Sequence, residues 1–132
     1  MRVLIDTDVL LDVALARDPF VRESQKVLSW AQGEPRQAAV AWHSLSNIAY
    51  LTGSPALNFI RDLTEFIEVS STGTKEVKQA LGFPMRDFED ALQASAALAF
   101  DALFIVTRNT RDYKRSPVPA ISPARFIREL GG

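Results

Sequence analysis

Five short apolar runs alternate along the chain with segments of helical periodicity, and this alternation restricts the fold more than any other feature. The runs occupy residues 3–5, 38–41, 66–69, 103–106 and 118–121. They are too short for helices and, Glu68 apart, apolar, as strands covered on both faces are. Strands of that kind separated by helices make a parallel sheet. The expected fold class is therefore α/β, a three-layer α/β/α arrangement around a central parallel sheet of about five strands. No repeat, low-complexity tract or linker divides the chain, so residues 1–132 are expected to form one domain.

Helix starts are marked by prolines. Asp18-Pro19, Ser54-Pro55 and Ser122-Pro123 each place an N-cap residue before a proline at the first helical position. Helices are expected over 19–32, 55–65, 75–81 and 87–100, with Gly33, Gly53 and Gly82 at helix ends. In the segment 87–100, Phe88, Ala91, Leu92, Ser95, Leu98 and Ala99 form the stripe expected to pack on the sheet. A second stripe holds Asp87, Asp90, Ala94, Ala97 and Asp101, where small residues permit close approach to the acids.

Composition removes several chemistries. The chain has no cysteine and a single histidine, His43, which excludes disulfides, thiolate sites and thiol nucleophiles and makes zinc a poor choice. Any metal should be a hard cation held by oxygens. No apolar window approaches the roughly 18 residues of a membrane span and no signal peptide is indicated, so a soluble, cytoplasmic protein is expected. With a net charge of −1, a polyanionic substrate would need a local basic patch.

Three acids stand at element ends: Asp6 after the first run, Asp90 near the start of a helix, and Asp112 after the fourth run. In an open parallel sheet the crevice beyond the strand ends is where ligands bind. Carboxylates that converge there repel one another unless a cation lies between them, and Mg²⁺ or Mn²⁺ suits such a set. The bland readings are specific too. Asp6 can cap the next helix, Asp8 and Asp12 can be solvated first-turn acids, Asp87 can cap the helix of Asp90, and Asp112 can pair with a neighbouring arginine. Arg108, Arg111 and Lys114, with Tyr113 among them, suit a phosphate backbone and a stacked base, or form an ordinary solvated loop. His43 reads as a packed or capping residue.

The segments 4–12 (Leu-Ile-Asp-Thr-Asp-Val-Leu-Leu-Asp), 87–93 (Asp-Phe-Glu-Asp-Ala-Leu-Gln) and 105–113 (Ile-Val-Thr-Arg-Asn-Thr-Arg-Asp-Tyr) together resemble the PIN-domain ribonucleases. The likeness is greatest to VapC-like toxins of toxin–antitoxin pairs and their PilT N-terminus relatives. It implies a PIN-like sheet flanked by helices, Mg²⁺ or Mn²⁺ dependence and endonucleolytic cleavage of RNA. It further implies homodimerisation and, for toxins, inhibition by an antitoxin segment across the site. Position by position, Asp6, Asp90 and Asp112 match the family's acidic quartet, with Thr107 and Asn109 as supporting polar residues. Two positions depart from the pattern. Asn47 stands where many members carry Glu, and Asp8 where the usual residue is Asn, so Asp8 is expected to join the metal ligands and compensate in part for Asn47. Asn47, three residues after Ser44, equally suits a helix cap.

Two other functions stay open. Asp6-Thr7-Asp8 also looks like the opening of haloacid dehalogenase-like phosphatases, but their late Gly-Asp motif is missing, and a receiver-type phosphoacceptor lacks its acid after the third run. A PIN-fold binding or scaffold protein with a weakened site is the other alternative, resting on Asn47.

Overall fold

The computed structural model describes residues 1–131. Five strands, β1 (Val3–Ile5), β2 (Ala38–Val40), β3 (Glu68–Val69), β4 (Phe104–Val106) and β5 (Ala120–Ile121), form one sheet in the order β3-β2-β1-β4-β5. Every pairing is parallel, with Val3 opposite Ala38 on one side and Phe104 on the other. The helices are α1 (Thr7–Ala14), α2 (Val21–Gly33), α3 (Trp42–Thr52), α4 (Ala56–Leu63), α5 (Thr74–Leu81), α6 (Phe88–Ala99) and α7 (Pro123–Phe126).

Successive side chains of β1 enter different cores, as the period of a strand requires. Val3 and Ile5 pack with Val9 and Leu10 of α1, Val27 and Leu28 of α2, Ile48 of α3 and Phe126 of α7. Leu4 packs with Ala94 and Ala97 of α6, Phe100 and Ile105. The three-layer arrangement follows from this split. The chain adds β2 and β3 on one side of β1, then crosses to β4 and β5 on the other, which makes the C-terminal ends of β1 and β4 the topological switch point.

Apart from β1, the strands are shorter than the apolar runs. β5 starts at Ala120 because Pro119 and Pro117 have no N–H to donate to the ladder. Ser122 caps α7 by accepting from Arg125 N, as expected. The other two proline starts move. Helix α2 begins at Val21 without a side-chain cap, because Arg17 and Phe20 are drawn into tertiary contacts, and α4 begins at Ala56 after Pro55. The face of α6 also differs from expectation. Phe88 is exposed, whereas Ala94 and Ala97 are buried against the sheet, since small side chains let helix and strands approach closely. Ser95 instead faces α5, donating to Glu76 O at 2.8 Å.

Candidate active site

Asp6 lies where β1 gives way to α1. Its extended backbone ends the strand and its Oδ1 caps α1, accepting from Thr7 N at 2.7 Å. Capping engages only one oxygen. Oδ2 accepts from Thr107 Oγ1 at 2.8 Å, at the end of the adjacent β4, and from the Tyr113 hydroxyl at 3.0 Å. The same hydroxyl lies 3.3 Å from Asp90 Oδ1, in the first turn of α6, so one phenol joins acids 84 positions apart in sequence. Asp87 caps α6 by accepting from Asp90 N at 3.0 Å, the bland role its position suggested.

This crowding sets the electrostatics. Asp6 is 5% exposed, and burial followed by the charge of Asp8 raises its pKa from 3.8 to about 7, against the lowering effect of the Thr107 bond. Asp90 is raised to about 7 by burial and by Asp87, Glu89 and Asp112. Burial, then Asp6, Asp90 and Glu89, push the Tyr113 phenol far up, so it stays a neutral donor. Expected to stack a base, Tyr113 is buried instead and organises the acids.

Asp8, in the first turn of α1, faces the β4 end. Its Oδ2 accepts from Arg108 N at 3.0 Å and Asn109 Nδ2 at 3.1 Å and lies 3.2 Å from Thr107 Oγ1, while its buried Oδ1 has no partner among the described residues. Burial raises the Asp8 pKa, with the Arg108 backbone and charge opposing. Thr107 and Asn109 thus stand directly against Asp8, and Asp8 is neither solvated nor free.

Asp12 departs furthest from a solvated first-turn acid. It is fully buried and accepts from Arg17 Nε at 3.1 Å, Ser24 Oγ at 2.9 Å, and Arg108 Nε and Nη2 at 2.8 and 3.2 Å. The Arg108 guanidinium also lies 3.8 Å over the Phe20 ring. Arg108, expected to contact substrate, is therefore committed to tying the β4 end onto α1 and α2. The remaining basic residues behave differently. Arg111, Lys114, Arg115 and Arg86 rim a cleft of about 610 Å³ whose acidic wall is Asp87, Asp90 and Asp112. Asp112 is exposed at this rim, where its charge reaches Asp90.

Asn47 makes no side-chain hydrogen bond among the described residues, and it is not a cap, since α3 starts at Trp42 and Ser44 Oγ pairs with Thr7 Oγ1 at 2.7 Å. Sequence reasoning gave Glu89 and Gln93 no role and took His43 for a packed or capping residue. Glu89 Oε2 lies 2.6 Å from His43 Nε2 and accepts from Gln93 Nε2 at 2.9 Å. Burial alone would raise its pKa, but the bonds from His43 and Gln93 prevail and hold it below the ordinary value. Gln93, wholly buried, also reaches Thr7 Oγ1 and Ser44 Oγ, which fixes α6 to α1 and α3. The available signal was the spacing of Glu89 and Gln93, four apart on one helix face. A second hollow of about 430 Å³, lined by Trp42, His43, Glu76, Val77 and Leu92, is mainly apolar and holds none of the acids around Tyr113.

The PIN-domain family profile matches residues 2–111, the span that carries β1 through β4 and all of these acids except Asp112. The chain belongs to the PIN-domain family. No curated protein matches it. Among solved structures it is similar to VapBC2 from Rickettsia felis bound to a DNA fragment from their promoter, at 15% identity over 92% of this chain and 98% of that one, with a TM-score of 0.66. It is also similar to a toxin–antitoxin complex from Klebsiella pneumoniae, at 18% identity over 92% and 97%, TM-score 0.68. FitAcB from Neisseria gonorrhoeae aligns at 14% identity over 92% and 98%, TM-score 0.60. This PIN-family chain therefore shares the fold of those structures, and no described helix is long and apolar enough to cross a membrane.

Proposed function

We propose that this PIN-domain chain is a Mg²⁺- or Mn²⁺-dependent endoribonuclease and the toxin of a toxin–antitoxin pair. The observation that carries the reading is the meeting of Asp6 and Asp90 on the Tyr113 hydroxyl at the switch point of the sheet. The donors fit a hard divalent cation. They are all oxygens, the charge of Asp8 raises the pKa of Asp6 and that of Asp112 the pKa of Asp90, and Asp8 Oδ1 is buried without a partner among the described residues. When bound, such a cation neutralises the carboxylates and lowers the pKa of water. Asp6 and Asp90 would hold it, with Asp8 and Asp112 as further candidates. Thr107 and Tyr113 fix Asp6 in one orientation, and Arg86, Arg111, Lys114 and Arg115 supply positive charge for the phosphates of a strand along the cleft. A chain with net charge −1 thus has the local basic patch that a polyanion requires. The toxin assignment and a cognate antitoxin draw support from the toxin–antitoxin complex in the shared fold, and homodimerisation is part of the same proposal. A phosphoryl-enzyme role for Asp6 is disfavoured by its burial and by the engagement of both its oxygens.

Incubation of the purified chain with structured RNA in Mg²⁺, Mn²⁺ or EDTA tests the activity. Metal-dependent cleavage lost in Asp6→Asn and Asp90→Asn is expected. Cleavage that survives both substitutions refutes the site, and no cleavage with either metal favours the scaffold alternative.

A further inference from the structure

We infer that Glu89 on α6 supplies the carboxylate that α3 lacks at Asn47, and that α3 contributes His43 to hold it in place. This rests on the metal-dependent reading above and assigns one more residue to that site. Three observations support it. The first is proximity: carboxylate oxygens of Asp87, Glu89 and Asp90 all lie within 4.8 Å of one another. The second is orientation. Glu89 Oε2 is pinned by His43 Nε2 at 2.6 Å and by Gln93 Nε2 at 2.9 Å, and Gln93 is itself locked between Thr7 and Ser44. A glutamate on a helix surface ordinarily keeps its rotamer freedom, and fixing it costs conformational entropy. Here three helices combine to fix it, one residue before Asp90, and Oε1 takes no part in those bonds.

The third observation is where α3 places its polar groups. His43 precedes Asn47 by four residues, one helical turn, and it is His43 whose side chain crosses to α6. Helix α3 therefore still addresses the acidic site, but through a residue that binds a carboxylate rather than through a carboxylate of its own. Asp8 also keeps one oxygen out of its hydrogen bonds, but its other oxygen is held by the β4 end through Arg108 N and Asn109 Nδ2, and the permanent charge of Arg108 acts on it. Glu89 has no arginine or lysine within salt-bridge distance among the described residues, its ion-pair partner being His43, which carries charge only when protonated, and it shares its immediate surroundings with Asp90 and Asp87. Like charges in that position favour a cation.

The test is Mn²⁺ binding to the full chain by isothermal titration calorimetry, which reads the site without substrate. Glu89→Gln keeps the size of the side chain and its contact with His43 while removing the charge. Its Kd for Mn²⁺ is expected to weaken about tenfold or more, and Asp90→Asn serves as the comparison. If Glu89→Gln does not fold, as judged by circular dichroism, Glu89→Asp replaces it, and the retracted carboxylate is expected to weaken binding as well. A Kd at the wild-type value in the folded variant, with Asp90→Asn weakened, overturns the role of Glu89 and leaves the proposed function standing. No Mn²⁺ binding by the wild-type chain, or none lost in Asp90→Asn, overturns the metal-dependent reading and this inference with it.

Discussion

Replacing Asp6 with Asn should stabilise the metal-free protein at pH 8. A carboxyl whose pKa is higher in the folded than in the unfolded chain favours folding at low pH, and that stability is lost as pH rises between the two values. For Asp6 the window runs from 3.8 to about 7. The cost above it is on the order of 4 kcal/mol, taking 1.36 kcal/mol per pKa unit. Asp6 is 5% exposed, so solvent screening removes little of this. Asn keeps the oxygen that caps α1 and turns an amide towards the Thr107 and Tyr113 hydroxyls, which can reverse to accept. At roughly 3–5 °C per kcal/mol for a chain of this length, and with imperfect replacement, the melting temperature in EDTA should rise by about 10 °C. Most of the gain should vanish by pH 5, where Asp6 is protonated in the wild type. Excess Mn²⁺ at pH 8 should reverse the order, because only the wild type can use it fully. Calorimetric melting at both pH values checks all three points. An Asp6→Asn protein that melts at or below wild type in EDTA at pH 8 would refute the reasoning.

Asp12→Ala should lower the melting temperature by roughly 10 °C, because breaking a buried ion pair costs about 3 kcal/mol when the stranded arginines are partly exposed. An unchanged thermal melt would show that the Arg17–Asp12–Arg108 group is not a fastening. Arg111→Ala and Lys114→Ala should raise KM for RNA with little change in kcat, each reducing the salt slope of binding by about one; a slope equal to wild type in both counts against the basic rim. Gln93→Leu removes a buried amide but leaves Thr7 and Ser44 bonded to each other, so urea denaturation should show a loss of about 1–2 kcal/mol. A midpoint equal to wild type would mean that the amide does not fasten α6 to α1.

The sheet was legible because its strands are nearly pure apolar runs, and their parallel pairing follows from the helices between them. Local chemistry also placed the caps Asp6, Asp87 and Ser122. What stayed hidden were outcomes decided by contacts distant in sequence. The start of α2 shifted because Arg17 and Phe20 serve Asp12 and Arg108, and no local pattern announces that. The sheet-facing side of α6 was misjudged because larger side chains read as core, whereas the sheet takes Ala94 and Ala97. Asp6 and Asp90 were visible as acids at element ends. Glu89 was not, since a surface glutamate near a helix start is ordinary until His43, 46 residues earlier, is seen to hold it.

The arginines between 108 and 115 lie within eight residues and divide their labour completely. Arg108, half-buried, is committed to the fastening around Asp12, while Arg111 and Arg115 have no side-chain partner among the described residues and face the cleft. If the cleft takes RNA as proposed, substitutions on its side should alter which strand is accepted, whereas the same change at Arg108 would strike the scaffold. Under the proposed function, one loop thus joins strand contacts that are free to vary to an anchor on which the fold depends.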